Sequence, residues 1–197
     1  MAARIHRESA QRRREALLRA AIELVAESGT GAATHRAIAN RAGVPLATTS
    51  YFFDSIDDLL AEATLYFTAD QATAYEALAA ELEGAPPALI SAQFAAALMG
   101  SDRTVELAQV EAYLHAARDP ALRPATAAVM AAFEHSTVVA LEAAGIAEPA
   151  RLARTVVALV DGFMLQHLAN PRPDDEEQLR DALDALVAAA PRVAANR

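Results

Sequence analysis

The chain has 197 residues, more than half of them apolar, with seven glycines and no cysteine. The missing cysteines exclude disulfides and thiolate metal sites, and the alanine-rich composition favours an all-α protein, because alanine is the best helix former and has no side-chain entropy to lose. The formal net charge of −9 hides a split: residues 1–53 carry eight Arg against four Asp/Glu, and residues 54–197 carry nine Arg against 22. Such a division suits either a basic arm that meets a polyanion or a solvated basic face.

The first helix is predicted from Glu8 to Ser28, with Leu17, Ala21, Leu24 and Val25 on one stripe beside Leu18 and Ile22. Residues 1–19 carry Arg4, Arg7, Arg12, Arg13, Arg14 and Arg19 and no apolar run, so no secretion signal is expected. Gly29 follows as a C′ residue. "GTGAAT" follows a helix rather than a strand and lacks a third glycine, so it is not read as a phosphate loop.

A second helix runs from Thr34 as N-cap to Ala42, and Gly43 ends it. A third starts near Pro45, a residue suited to a first helical position, and ends near Phe53. "SIDD" opens the fourth as a capping box, with Ser55 capping and Asp58 reaching back. This long helix continues to Gly84. Later helices open at Pro86-Pro87, Asp102, Pro120/Pro124, Pro149 and after "NPRPDDEE", where the acids favour the helix dipole. The apolar stretch Leu152 to Leu168 is broken by Arg154, Asp161, Gln166 and His167, short of the ~18 uninterrupted apolar residues of a spanning helix. The expectation is a soluble, cytoplasmic, all-α chain of about nine helices.

Two short helices around a glycine turn form a helix-turn-helix unit. Ala39 is small enough for close helix approach, and Gly43 supplies a turn conformation that a Cβ resists. Ile38, Ala42 and Val44 point inward, and Phe52 or Phe53 closes the far side. Leu46, Ala47, Thr48 and Ser50 are left on the exposed early part of the second motif helix, the part that reads base edges in the major groove.

From Arg12 to Leu60 the chain resembles the TetR/AcrR family of transcriptional regulators. The resemblance rests on "LLRAAIELVAESG", Thr34, "RAIANRAGV", the aromatic Tyr51-Phe52-Phe53 end and "SIDDLL". It implies a helix-turn-helix DNA-binding domain over residues 1–54 and a helical ligand-binding and dimerisation domain over 55–197. It also implies a homodimer built through the eighth and ninth helices, with double-stranded operator DNA as partner. Position by position, Thr34 would cap the second helix and hold a phosphate, and Arg36 would reach a base edge or phosphate. Pro45, Leu46, Ala47, Thr48, Ser50 and Tyr51 would form the recognition surface. Ser55 would aim the fourth helix's N-terminus at the backbone. The chain departs from the family at Leu46, Asp54 and Ile56, where lysines are common, and at Thr49 and Ser50, usually leucine and tyrosine. The arginines of the arm would compensate through counterion release.

For an effector cavity the candidates are Phe67, Phe94, Leu98, Tyr113, Met130, Phe133 and Phe163, with Gln166 and His167 as orienting polar groups. His115, His135 and His167 lack metal-ligand spacing, no cofactor is implied, and no enzyme signature is found. Asp161 is expected to pair with Arg154 or across an interface, or to sit exposed, and Gly162 beside it permits close helix approach. The reading is a DNA-binding repressor released by a small, largely apolar effector. The alternatives are an activator, a ligand-independent regulator, or an all-helical binding protein that has lost DNA contact.

Overall fold

The computed structural model describes residues 2–83 and 102–193, with side chains from position 9 onward. Its elements are α1 (Ala2–Ser28), α2 (His35–Ala42), α3 (Ala47–Phe52), α4 (Ile56–Leu82), α5 (Arg103–Arg118), α6 (Arg123–Ala143), α7 (Pro149–Ala169) and α8 (Asp175–Ala189). Short 3-10 turns occupy Thr30–Ala32 and Pro120–Leu122. The helix expected after Pro86-Pro87, with Phe94 and Leu98, lies outside the described residues. The eighth and ninth helices of the sequence are therefore α7 and α8 here. Two compact units result, Met1–Asp70 with Leu107–Thr126, and Gln71–Glu106 with Ala127–Arg197.

The first unit is organised by α1. Leu17, Leu18 and Ala21 are buried, while Ile22, Leu24 and Val25 pack against them from the flank. Gly29 (φ 76°) and Gly43 (φ 66°) end α1 and α2 in the left-handed region, where a Cβ is strained. Thr34 Oγ1 accepts from the Ala37 amide at 3.2 Å and caps α2. Ile38 and Ala39 of α2, Phe53 after α3 and Leu59 of α4 complete the core around α1.

The capping box before α4 forms with one shift. Ser55 Oγ accepts from the Asp58 amide at 3.0 Å, but Asp58 reaches the Asp54 amide at 3.2 Å rather than that of Ser55. Pro45 stands two residues before α3 instead of inside it. Leu46 is already helical, and the Pro45 carbonyl accepts from Thr48 at 2.8 Å.

In the second unit, α6, α7 and α8 enclose Phe133, Val156, Val157, Val160 and Leu179, joined by Leu82 from the end of α4. Phe133 stacks on Tyr75 at 4.5 Å with planes 9° apart. The fully buried hydroxyls of Ser136 and Thr137 both donate to the Phe133 carbonyl at 2.9 Å, so the core needs no water for them. Gly145 (φ 76°) ends α6, and Ile146 pairs with Arg192 as a single antiparallel bridge.

By length and composition alone α7 could cross a membrane, with a mean hydropathy of 1.2, a property that the core helix of a soluble protein shares. Only Arg154 and Asp161 are charged over residues 152–169. Its buried residues, Ala153, Val156, Val157, Val160 and Leu168, supply one side of the second unit's core.

Asp161 of α7 makes no bond to Arg154, which is exposed. Burial alone lifts its carboxyl from 3.8 to about 6. A raised carboxyl favours the protonated folded chain, so a penalty develops as pH rises from about 4 and is complete above about 6. Asp161→Asn removes that penalty. At pH 7 it should gain about 1–2 kcal/mol, discounted for partial exposure, with no gain near pH 4. Urea midpoints measured across this range check it, and equal midpoint shifts at both ends would count against it.

Candidate functional site

α3 is six residues long, too short to be stable alone, so its position is set by what anchors it. Two side chains anchor it from below. Thr49 is fully buried, with its hydroxyl donating to the Leu46 carbonyl at 2.8 Å. A threonine thus fills this core position without leaving a buried polar atom unpaired. Phe53, 2% exposed, closes the helix's far end, while Phe52 is half-buried and Tyr51 meets it edge-on at 4.8 Å.

The opposite face of α3 is open. Leu46 is 46% and Tyr51 78% exposed, and Pro45, Ala47 and Ser50 are exposed beside them, with Thr48 half-buried. Arg36 projects from the first turn of α2 into solvent, next to the Thr34 cap. Ser55 is exposed at the start of α4. All nine residues assigned to DNA therefore lie in the first unit. The hydroxyl of Thr34 already serves as a cap, so a ligand there would share it with the Ala37 amide.

The arginines of this unit are not equivalent. Arg41 holds Glu27 at 2.6 and 2.9 Å and Glu23 at 3.2 Å, fastening α2 to α1; this pairing holds the Glu27 carboxyl below its usual range. Arg14 pairs with Glu62 and lies over the Phe53 ring at 5.5 Å. Arg19 donates to the Tyr66 hydroxyl at 3.1 Å. Arg12, Arg13 and Arg36 remain exposed and free of ion pairs with other described residues.

The effector candidates among the described residues are distributed over both units. Phe67 and Tyr113 belong to the first unit, and Met130, Phe133, Phe163, Gln166 and His167 to the second. Phe67 lines a cleft of about 30 Å³ with Ala63, Thr64, Ala112 and His115. There the Thr64 hydroxyl lies 2.9 Å from the Leu60 carbonyl and 3.0 Å from His115 Nδ1. Tyr113 accepts from Gln109 at 3.0 Å. Phe133 is core, and Met130 and Gln166 are exposed.

Phe163 and His167 do share a cleft, of about 20 Å³, with Glu106, Val160, Met164, Asp175 and Leu179. His167 Nδ1 sits 2.7 Å from Asp175, which also accepts from the Arg172 amide, and these bonds hold the Asp175 carboxyl low. Burial pushes the Glu106 carboxyl up. Glu106 and Asp175 escaped the sequence reading: Asp175 passed as one acid in a helix-start run, and nothing local to Glu106 marks it.

Two family models match the chain: "Bacterial regulatory proteins, tetR family" over residues 17–63, and "Tetracyclin repressor-like, C-terminal domain" over residues 69–189. No curated protein matches it. Among solved structures, a TetR family member from Streptomyces coelicolor is 33% identical, covering 88% of this chain and 97% of its own, with a TM-score of 0.64. The multidrug binding protein EbrR complexed with ethidium is 32% identical over 88% of this chain and 98% of its own, at a TM-score of 0.63. The same protein complexed with proflavin is 36% identical over 88% and 99%, at 0.56.

Proposed function

Because the chain belongs to the tetR family of bacterial regulatory proteins, we propose that it is a cytoplasmic, homodimeric repressor that leaves its operator when a small, largely apolar effector binds. Residues 1–54 would read DNA and residues 55–197 would bind effector and partner. The observation that carries the DNA half is the two-sidedness of α3: Thr49 and Phe53 buried beneath it, Leu46, Ala47, Ser50 and Tyr51 open above it. Two such helices, one per protomer, would enter successive major grooves about one helical turn apart.

The second unit's cleft between Phe163 and Met164 supports an aromatic effector, and the Glu106 and Asp175 carboxyls beside it favour one with positive charge. Ethidium and proflavin, bound by EbrR, are of that class. At about 20 Å³ the cleft is smaller than one effector, so the ligand would select a conformer in which it is open. It shifts the equilibrium only by its differential affinity for that conformer.

Operator fragments selected from genomic DNA with the purified protein test the reading. On such a fragment, Arg36→Ala and Tyr51→Phe should each weaken binding roughly 10- to 100-fold, as expected for lost bonds to charged phosphates, while sedimentation still shows a dimer. Unaltered affinity in a gel-shift titration would remove those two residues from the interface.

A further inference from the structure

A groove of about 380 Å³ opens between α1 and α3 in the first unit, lined by Ala10, Arg13, Ala47, Thr48, Tyr51 and Phe52. Among the described residues its polar equipment is one guanidinium and two hydroxyls, and none of the described carboxylates lines it. Arg13 uses two of its five N–H groups on its own helix: Nε donates to the Ser9 carbonyl at 3.2 Å and Nη2 to Ser9 Oγ at 3.3 Å. These bonds tether the guanidinium and leave three donors unengaged by other described residues. The Thr48 and Tyr51 hydroxyls bond to none of the described residues. The remaining wall is Ala10, Ala47 and Phe52.

A site with spare donors, one fixed positive charge and an apolar floor suits a multi-oxygen anion attached to an apolar ring. We propose that this groove is a backbone subsite for duplex DNA. One phosphate per protomer lodges between α1 and α3 on Arg13, Thr48 and Tyr51, and its deoxyribose lies against Ala47 and Phe52. The inference rests on the DNA-binding reading and adds a division among the arginines. Arg14, the next residue, is committed to Glu62 and Phe53, and Arg41 to α1. The charge excess of the N-terminal region thus overstates its grip on DNA, and of the adjacent pair Arg13 and Arg14 it is Arg13 that meets the phosphate.

The test titrates full-length protein on its selected duplex and on a random duplex over a salt series. Arg13→Ala should weaken both by about tenfold or more. It should also flatten the slope of log K against log salt by about 1.8 per dimer, two phosphates at ~0.9 each. Arg118→Ala, which removes an exposed cation from α5, should leave the slope unchanged. Thr48→Val should lower affinity at an unchanged slope. A duplex with a neutral methylphosphonate at the contacted position should bind wild type more weakly and Arg13→Ala no more weakly than the native duplex. Wild-type binding with an unaltered slope in Arg13→Ala overturns the subsite and leaves the DNA reading standing. A wild-type chain that binds neither duplex overturns the reading underneath it.

Discussion

Phe53→Ala is expected to abolish operator binding and to destabilise the first unit by about 3–5 kcal/mol, the usual range for an aromatic removed from a packed core. The ring is 2% exposed and touches the cluster of Leu17, Leu18, Ile38 and Leu59. It also carries the Arg14 guanidinium at 5.5 Å, so truncation strands a cation already tied to Glu62. The functional loss should exceed the stability loss. α3 has six residues and takes its position from Phe53 at one end and Thr49 in the middle. Without the ring, its exposed face no longer has a fixed place from which to match a groove. Phe53→Leu keeps most of the volume and should retain binding; Phe52→Ala, at a half-buried site, should be milder. Thermal melts and gel shifts on the same samples separate the two effects. A folded Phe53→Ala chain with wild-type operator affinity would show that α3 is held by something else.

The helix boundaries of the first unit were legible because local rules govern them. Gly29 and Gly43 occupy the left-handed region the turns require, and Thr34 and Ser55 cap as their spacing predicts. The errors are also local. α1 begins at Ala2 rather than Glu8, because its arginine-rich first turns carry no apolar stripe to announce a helix. Pro45 closes a tight turn ahead of α3 instead of opening the helix.

The candidate site divides along the same line. A recognition surface on one short helix follows from which side of that helix is buried, and periodicity reveals this. The effector set depends on which helices meet, and periodicity does not. Phe67 and Phe133 read alike in sequence, yet one lies in each unit. His167 meets Asp175 across the "NPRPDD" turn, a pairing that no helical spacing contains. Charge is the subtler case: Arg13 and Arg14 are adjacent, and only the fold shows that one faces a groove and the other a glutamate.

Gly162→Arg is expected to leave each chain folded but to separate the dimer, lowering operator affinity by about 10²- to 10⁴-fold as two linked heads become one. By composition α7 could cross a membrane, yet only 22% of that apolar window is buried by its own chain. Ala158, Leu165 and Ala169 are exposed on it, with Leu165 at 54%, and Gly162 falls at the same four-three-four spacing. Small residues beside one exposed leucine form a face on which a second helix can approach closely. Among the described residues Gly162 has no steric reason to be glycine. A Cβ built there meets none of them within 4 Å, and glycine inside a helix costs about 1 kcal/mol relative to alanine. Any larger residue should therefore help the isolated chain, and Gly162→Ala should melt slightly higher than wild type. Arginine instead places a charge where the two copies of α7 would meet. Sedimentation at matched concentrations, read beside operator titrations, decides the matter. A Gly162→Arg chain that remains a tight dimer would move the interface off this face of α7, and the apolar surface there would then need another occupant.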